Sequence, residues 1–503
     1  MSKRSITLIV IGAIALVLAV PFWFSGLGFI AFLDTIIHNL AYVVAIVLIV
    51  GAVAGAFFFW EEVKRPLLLA IGGGIAVIAG IGIFVTSGYF TATQYASGVT
   101  EVDEPVNYAD RAPWVVSNSY SNRDQGDIVG DRVGVHYVPA SKDSDAADGD
   151  GTSRYTTLIN GRGPIGIHGY EGIQTLNMPA TGTIPADSSS YCEMPDGMND
   201  RLGAFWPGHN LNWNINAKKP NAHWDKDDAY GYCDGDEPVV VVPLWEYEGF
   251  WLPTKSPDGA AVYKDGNVTL MDSEKLEEEK IQGPTYPTSV AEAQRKSINA
   301  GGSLFDWWGY RHGYDTTEKD EEDTNEGATT EFTLITADGE MQYVTPLTPR
   351  GTSQSMTAVS YVPAVQTKEG RQPIVVNTNP DLKSTSTIAT TIKESSVNGD
   401  NAWTTRWASG MTIYEVLPAQ DGHWAASIGQ GQAVSYRADI APDGKITVTN
   451  SDTGQSSNKD SEKSEESVTV DGGKPLSEMT DEEIYNLIHE ATDELEERNA
   501  ATE

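Results

Sequence analysis

The chain has 503 residues, of which 34 are basic and 70 acidic, giving a formal net charge of −36 at pH 7. Such an acidic surface repels nucleic acid and anionic headgroups, so we expect no nucleic-acid partner. With only two cysteines the chain is not a disulfide-rich scaffold, and its length leaves room for more than one folded unit.

Three apolar runs open the chain, at 6–24, 40–60 and 67–86. Each approaches the roughly 20 residues that cross the hydrocarbon core of a bilayer. Lys3 and Arg4 precede the first run, and Lys64 and Arg65 separate the second from the third. The positive-inside rule places both basic pairs on the cytoplasmic side.

These charges predict a membrane anchor of three transmembrane α-helices over residues 1–90, with the lipid bilayer as partner and a cytoplasmic N-terminus. The segment 25–39, which carries Asp34 and His38, is then an outer loop. Everything after about residue 88 is extracytoplasmic. No ionisable residue lies inside an apolar run, which argues against an ion pathway through the membrane.

Small residues recur in the apolar runs at the spacing of packed helices. The glycines concerned are Gly51, Gly55, Gly72 and Gly80. Such ridges let helix backbones approach closely, within one chain or between copies. One interpretation is that these glycines pack helices together and make oligomerisation possible. The alternative is that they recur by chance, because glycine is common in membrane helices.

The region after the anchor is predicted to be mainly β. Short alternating segments are interrupted by turn residues, with hairpins expected at 332–344 and 433–449 and a tight turn at 263–267. The run 239–242 (four valines) indicates a buried strand, and 289–299 a short helix. We divide this region into a β-rich subdomain at 91–315 and a second, sandwich-like one at 330–449.

The end of the chain has a different composition. Residues 450–475 are rich in Ser, Asp, Glu and Lys and predict a disordered acidic linker. Residues 476–503 then predict an amphipathic helix, whose apolar face comprises Ile484, Leu487, Ile488, Ala491 and Leu495. Such a short helix is marginal alone, so it docks on its own chain, self-associates or binds a partner.

Cys192 and Cys233 both fall in the extracytoplasmic region, where paired cysteines are favoured. We therefore predict a disulfide between them. A zinc site is the alternative, because His209 and His223 lie between the cysteines, but their spacing matches no common zinc pattern.

An acidic loop offers the strongest pattern for a metal. It contains Asp143, Asp145, Asp148 and Asp150 among glycines, a donor set that suits Ca²⁺. Arg154 stands where an EF-hand loop has its bidentate Glu, so the loop is not of that type. A solvated acidic loop is the alternative interpretation.

Tryptophans are numerous, and one aromatic and histidine cluster suggests glycan recognition. Its residues are Trp206, His209, Trp213 and Trp224. The alternative is core packing, because β-rich proteins commonly bury tryptophan. A separate stretch at 343–351 contains two prolines and Arg350. It forms either a rigid turn in which Arg350 pairs with a buried carboxylate or an exposed recognition loop.

The sequence favours a non-enzymatic, membrane-anchored binding or scaffold protein of the cell envelope. We find no Gly-x-Ser-x-Gly elbow, phosphate loop or His-Glu-x-x-His motif. One rival function is an envelope glycan hydrolase that uses an acidic pair. A second rival is an accessory subunit of a membrane transport or secretion complex. The expected partners are therefore an envelope polymer or another membrane protein.

Overall fold

The computed structural model describes sixteen stretches of the chain. They are residues 29–59, 66–96, 98–102, 131–139, 152–162, 168–179, 189–195, 200–203, 210–316, 333–337, 340–350, 358–378, 385–397, 401–419, 423–430 and 433–450. The first apolar run, the acidic linker after residue 450 and the C-terminal amphipathic helix lie outside these residues, so they stay predictions.

Three helices precede the β-rich region: α1 (Phe29–His38), α2 (Leu40–Phe59) and α3 (Pro66–Ala96). From Ile71 to Ala96, α3 is long and apolar enough to cross a membrane. The helices α1 and α2 meet at a 78° bend and form a second candidate span only if the bent pair is counted as one. The described residues thus support one membrane helix directly, fewer than the three predicted.

The predicted outer loop at 25–39 is wrong for its second half, which forms α1. Ile30, Leu33 and Ile37 recur at helical spacing and are exposed, while Asp34 and His38 are four residues apart and partly buried. The shortness of the segment concealed this periodicity. In addition, α3 does not end with the apolar run at residue 86 but continues to residue 96.

The first half of the β-rich region forms two four-stranded antiparallel sheets. Sheet 1 contains β2 (Asp131–Tyr137), β3 (Thr152–Asn160), β4 (Tyr170–Pro179) and β5 (Ser189–Glu193) in sequence order. Sheet 2 contains β6 (Tyr230–Asp234), β7 (Glu237–Glu248), β8 (Thr254–Lys264) and β9 (Asn267–Met271). The predicted turn lies between β8 and β9, where Asp265 and Gly266 both have positive φ, as a type I′ hairpin requires.

Sheet 3 has six strands and joins distant parts of the chain. Its strands are β1 (Val99–Val102), β10 (Tyr314–Thr316), β11 (Thr333–Ala337), β12 (Glu340–Pro349), β13 (Ala358–Pro363) and β14 (Ile374–Thr378). The pairing of β1 with β14 is parallel and the others are antiparallel. The two predicted subdomains therefore share a sheet, and a division between residues 315 and 330 remains a prediction.

Sheet 4 is a four-stranded antiparallel meander. Its strands are β15 (Thr412–Pro418), β16 (Trp424–Gln430), β17 (Ala433–Ile440) and β18 (Ile446–Asn450). Both predicted hairpins are confirmed, as β11–β12 and β17–β18.

In the described part of the chain, six further α-helices lie among the strands. They are α4 (Leu211–Lys218), α5 (Ser273–Glu278), α6 (Thr288–Ser297), α7 (Leu304–Trp308), α8 (Thr385–Val397) and α9 (Asn401–Ala408). The predicted helix at 289–299 is α6. No helix was predicted at α8, because its four threonines favour strands, yet Ile388, Ala389 and Ile392 pack from it onto sheet 4.

The core is continuous across the sheets. One cluster joins sheets 1 and 2 and contains Cys192, Val240 and Val242. Another joins sheets 3 and 4. A third lies between them and includes Val290 and Ala291 of α6. The buried valine strand predicted at 239–242 is confirmed, as all four valines are at most 1% exposed.

Candidate functional site

One set of polar contacts between the apolar helices and the β-rich region converges on Asp34 of α1. Its Oδ2 lies 2.9 Å from Nε2 of His223, so the carboxylate accepts a hydrogen bond from across the junction. Nδ1 of His38 lies 2.9 Å from the backbone carbonyl of Asp34 and 3.2 Å from its Oδ1, so this imidazole lies beside the carboxylate on the same helix. The Asp34 and His223 side chains are only 18% and 10% exposed, so water screens this contact weakly.

The backbone of β7 positions His223. The pairing of β7 with β8 shifts register between Pro243 and Trp245. Beside this irregularity, Trp245 exchanges two backbone hydrogen bonds with His223, of 2.9 and 3.2 Å. These two hydrogen bonds form an isolated antiparallel bridge between His223 and Trp245. The bridge holds His223 at the end of sheet 2 that faces α1.

Aromatic rings surround the two histidines. His223 stacks on Trp245 with centroids 4.5 Å apart, and His38 stacks on Tyr247 at 5.4 Å. Trp245 and Tyr247 meet edge to face at 5.1 Å. We call Asp34, His38, His223, Trp245 and Tyr247 the junction cluster. Its stacked rings restrict both imidazoles to orientations in which they reach Asp34.

Charged groups continue around the junction cluster. Lys255 lies 4.4 Å from the ring centroid of Trp245, whose Nε1 donates to Asp225 at 3.2 Å. Partial burial raises the pKa of Glu246, and the negative charge of Asp258 adds to the rise. This edge of the β-rich region thus carries charged side chains, is partly buried and packs against the helices.

A second set of contacts fixes the end of α3. The Tyr89 hydroxyl donates to the Gly302 carbonyl at 2.9 Å, and Gln94 Nε2 donates to the Leu252 carbonyl at 3.2 Å. The Tyr95 hydroxyl accepts from the backbone N–H of Lys255. These contacts attach the last turns of α3 directly to the β-rich region.

The predicted disulfide is present, with Cys192 and Cys233 joined by an S–S bond of 2.09 Å. It excludes both thiols from a zinc site. Of the aromatic cluster predicted for glycan binding, Trp206 and His209 lie outside the described residues. Trp224 packs partly against the core between sheets 1 and 2, and Trp213 lies in α4. This placement favours the core-packing alternative for Trp224.

The proposed metal ligands Asp143, Asp145, Asp148 and Asp150 lie outside the described residues, so Ca²⁺ binding there stays a prediction. Within the residues that the structure does describe, no three His, Cys, Asp or Glu side chains are grouped to hold a metal ion. Arg350 is mostly buried, and its Nε lies 3.5 Å from the carboxylate of Asp315, which is half exposed rather than buried.

The predicted glycine positions differ in their surroundings. A Cβ on Gly80 would lie 2.7 Å from Ile49 and 2.9 Å from the carbonyl of Ala45, so Gly80 is where α3 packs on α2. Gly51 and Gly72 have open space around them, and Gly55 lies in α2. Close packing within the chain thus requires Gly80, whereas oligomerisation through the others stays a prediction.

No protein-family model matches this chain, and no curated protein is significantly similar to it. Asp34 and His38 lie between two apolar runs, and their i, i+4 spacing is typical of one helical face. His223 stood out in the sequence only as an alternative zinc ligand. No local pattern pairs it with Asp34, which lies 189 residues before it.

Proposed function

We propose that the protein is a membrane-anchored scaffold or binding protein of the cell envelope, which holds its β-rich region in a fixed orientation outside the membrane. The observation that carries the proposal is the continuous α3. Its apolar part is long enough to span a bilayer, and its last turns are fixed by Tyr89, Gln94 and Tyr95. A rigid exit from the membrane orients whatever the β-rich region binds.

The junction cluster is a second observation that supports the same proposal. The Asp34–His223 contact ties α1 to sheet 2, so the β-rich region is attached to the helices at two separate points. Two attachments restrict rotation about α3, which one attachment would leave free. An orienting role explains why polar groups are buried at this junction, where each needs a partner.

The proposed topology has three spans and a cytoplasmic N-terminus, with α1 lying along the outer surface of the membrane. The apolar side chains Ile30, Phe32 and Ile37 of α1 are about half exposed. A helix with an apolar outer face and a polar inner one suits the interface between lipid and water. This arrangement replaces the outer loop expected from sequence.

Cysteine labelling of intact cells tests this topology. Because the native cysteines are joined in a disulfide, a single introduced cysteine is the only free thiol. Asp443→Cys, in the exposed turn between β17 and β18, should react with a membrane-impermeant maleimide added outside. Ser2→Cys should react only after permeabilisation. Equal labelling of both positions in intact cells would refute the proposal.

A binding experiment separates the scaffold from its rivals. The full-length chain, reconstituted in phosphatidylcholine vesicles, is mixed with purified envelope polymers of its source organism. Retention of vesicles without soluble fragments supports a binding role. Release of fragments that an acidic-residue substitution abolishes would show a hydrolase. Reproducible co-purification of transport or secretion components, without polymer retention, would favour the accessory-subunit alternative.

A further inference from the structure

Five large aromatic side chains project from the β-rich region with much of their surface uncovered. They are Phe250 (60% exposed), Trp251 (44%), Phe305 (75%), Trp308 (64%) and Tyr310 (64%). We call them the aromatic collar. Exposed apolar groups of this size, clustered in two short segments, mark an interaction surface more often than chance exposure.

Both segments of the collar lie directly against the end of α3. Leu252, next to Trp251, accepts a hydrogen bond from Gln94. Trp307, between Phe305 and Trp308, lies 6.0 Å from the Tyr89 ring and would be 3.3 Å from a Cβ on Gly88. The collar therefore sits at the level of residues 88–94 of α3.

That level lies just beyond the apolar run of the helix. The run ends at residue 86, so at 1.5 Å per residue positions 88–94 lie about 3–12 Å further along the axis, where the polar headgroup region follows the hydrocarbon core. Phe90 is itself about half exposed, as are Ile71, Ile81 and Phe84 below it. The lipid-facing surface proposed for α3 thus continues into the collar without a break.

The collar is held in place by defined contacts. Ser303 and Asp306 form a capping box that begins α7. Arg350 lies 4.1 Å from the ring centroid of Tyr310 and donates from Nη1 to the Trp307 carbonyl at 3.2 Å. Tyr310 also has a φ of 55°, a conformation that bulky residues seldom adopt without support. These contacts hold the backbone of the 303–310 segment and the ring of Tyr310 in place.

We infer that the aromatic collar inserts into the interfacial layer of the outer leaflet of the bilayer. Tryptophan and tyrosine prefer this layer because their rings are apolar and their polar ends remain hydrated. The partner is a zwitterionic lipid surface, since the strongly acidic chain would be repelled by anionic headgroups. The inference rests on the proposed membrane anchoring through α3, and it adds a direct contact with the membrane to the two attachments that join the β-rich region to the helices.

Depth-dependent quenching tests the inference in the full-length chain. Single variants Phe305→Cys and Phe250→Cys carry an environment-sensitive fluorophore, with Ile78→Cys in the middle of α3 and Asp443→Cys in a distant turn as references. Each protein is reconstituted in phosphatidylcholine vesicles that contain a nitroxide either near the headgroup or near the end of the acyl chain. All four positions are exposed, so the labels should not disturb folding.

We expect the headgroup nitroxide to quench the labels at 305 and 250, the chain-end nitroxide to quench the label at 78, and neither to quench the label at 443. Quenching of the label at 78 without quenching of the labels at 305 and 250 would overturn the insertion of the aromatic collar into the bilayer. It would leave the proposed membrane anchor intact. Blue-shifted but unquenched emission at 305 would overturn lipid contact and assign the collar to contact with a second copy of this chain instead. An unquenched label at 78 would refute the anchor itself.

Discussion

At the scale of single residues, the contact between Asp34 and His223 attaches α1 to the β-rich region. We expect His223→Ala to remove the hydrogen bond that the Asp34 carboxylate accepts from across the junction and to weaken this attachment by about 1–3 kcal/mol. Hydrogen exchange of the Phe29–His38 amides in reconstituted protein should then be roughly 5- to 150-fold faster, since local opening follows that free energy.

An exposed pair of a histidine and an aspartate elsewhere in the chain provides the control for His223→Ala. His423 Nδ1 lies 2.7 Å from Asp439, but both side chains are more than a third exposed. Exposed pairs contribute little, so His423→Ala should leave exchange in α1 unchanged. Equal protection of α1 in the wild type and both variants would show that the junction cluster does not attach it.

A buried carboxylate gives the fold a distinct pH dependence. Burial raises the pKa of Asp228 from 3.8 to about 7, although Thr288 donates to it from both its backbone N–H and its hydroxyl. Between those pH values the folded chain keeps a proton that the unfolded chain has lost. Stability therefore falls as the pH rises, by up to about 1.4 kcal/mol per pH unit.

Asp228→Asn should remove this slope, because the amide cannot ionise. Above about pH 7 the free energy of unfolding of the variant should exceed that of the wild type, measured by denaturant titration at several pH values. Asp443→Asn, in an exposed turn, should retain the wild-type slope. Parallel curves for wild type and Asp228→Asn would contradict the assigned pKa.

At the scale of elements, the packing of α2 on α3 depends on the absence of a side chain at Gly80. Gly80→Val introduces atoms where Ile49 and the Ala45 carbonyl already lie, which should cost about 1–3 kcal/mol in overpacking. Gly82→Val changes the same helix by the same residue, but into open space. Denaturation in mixed detergent micelles should show a lower stability for Gly80→Val than for Gly82→Val. Equal stabilities would refute the packing role of Gly80.

At the scale of the whole molecule, the disulfide joins β5 of sheet 1 to β6 of sheet 2 across a separation of 41 residues. Closing a loop of that length contributes about 4 kcal/mol in the chain-entropy model. Replacing both Cys192 and Cys233 by Ser should therefore lower the protection of sheets 1 and 2 from hydrogen exchange. Sheet 4, which is covered by α8 and α9, should keep its protection from exchange. A uniform loss of protection across all four sheets would contradict a local role for the disulfide.

Local patterns in the sequence were sufficient for several elements. The alternation at 433–449, the turn at Asp265 and Gly266 and the four-valine strand are set by neighbouring residues. In contrast, α8 forms because Ile388 and Ile392 find a surface on sheet 4. The third apolar run predicted a membrane helix, but its embedded last turns depend on distant partners such as Gly302 and Leu252.

The sequence by itself thus determined the apolar anchor segment, the acidic β-rich composition and the two cysteines that pair. Each follows from residue type and local spacing. Only the tertiary structure decided that Asp34 meets His223, that β1 pairs with β14, and that the aromatic collar lies beside the end of α3. These contacts join residues far apart in the chain, and their geometry is fixed by packing, which no local pattern encodes.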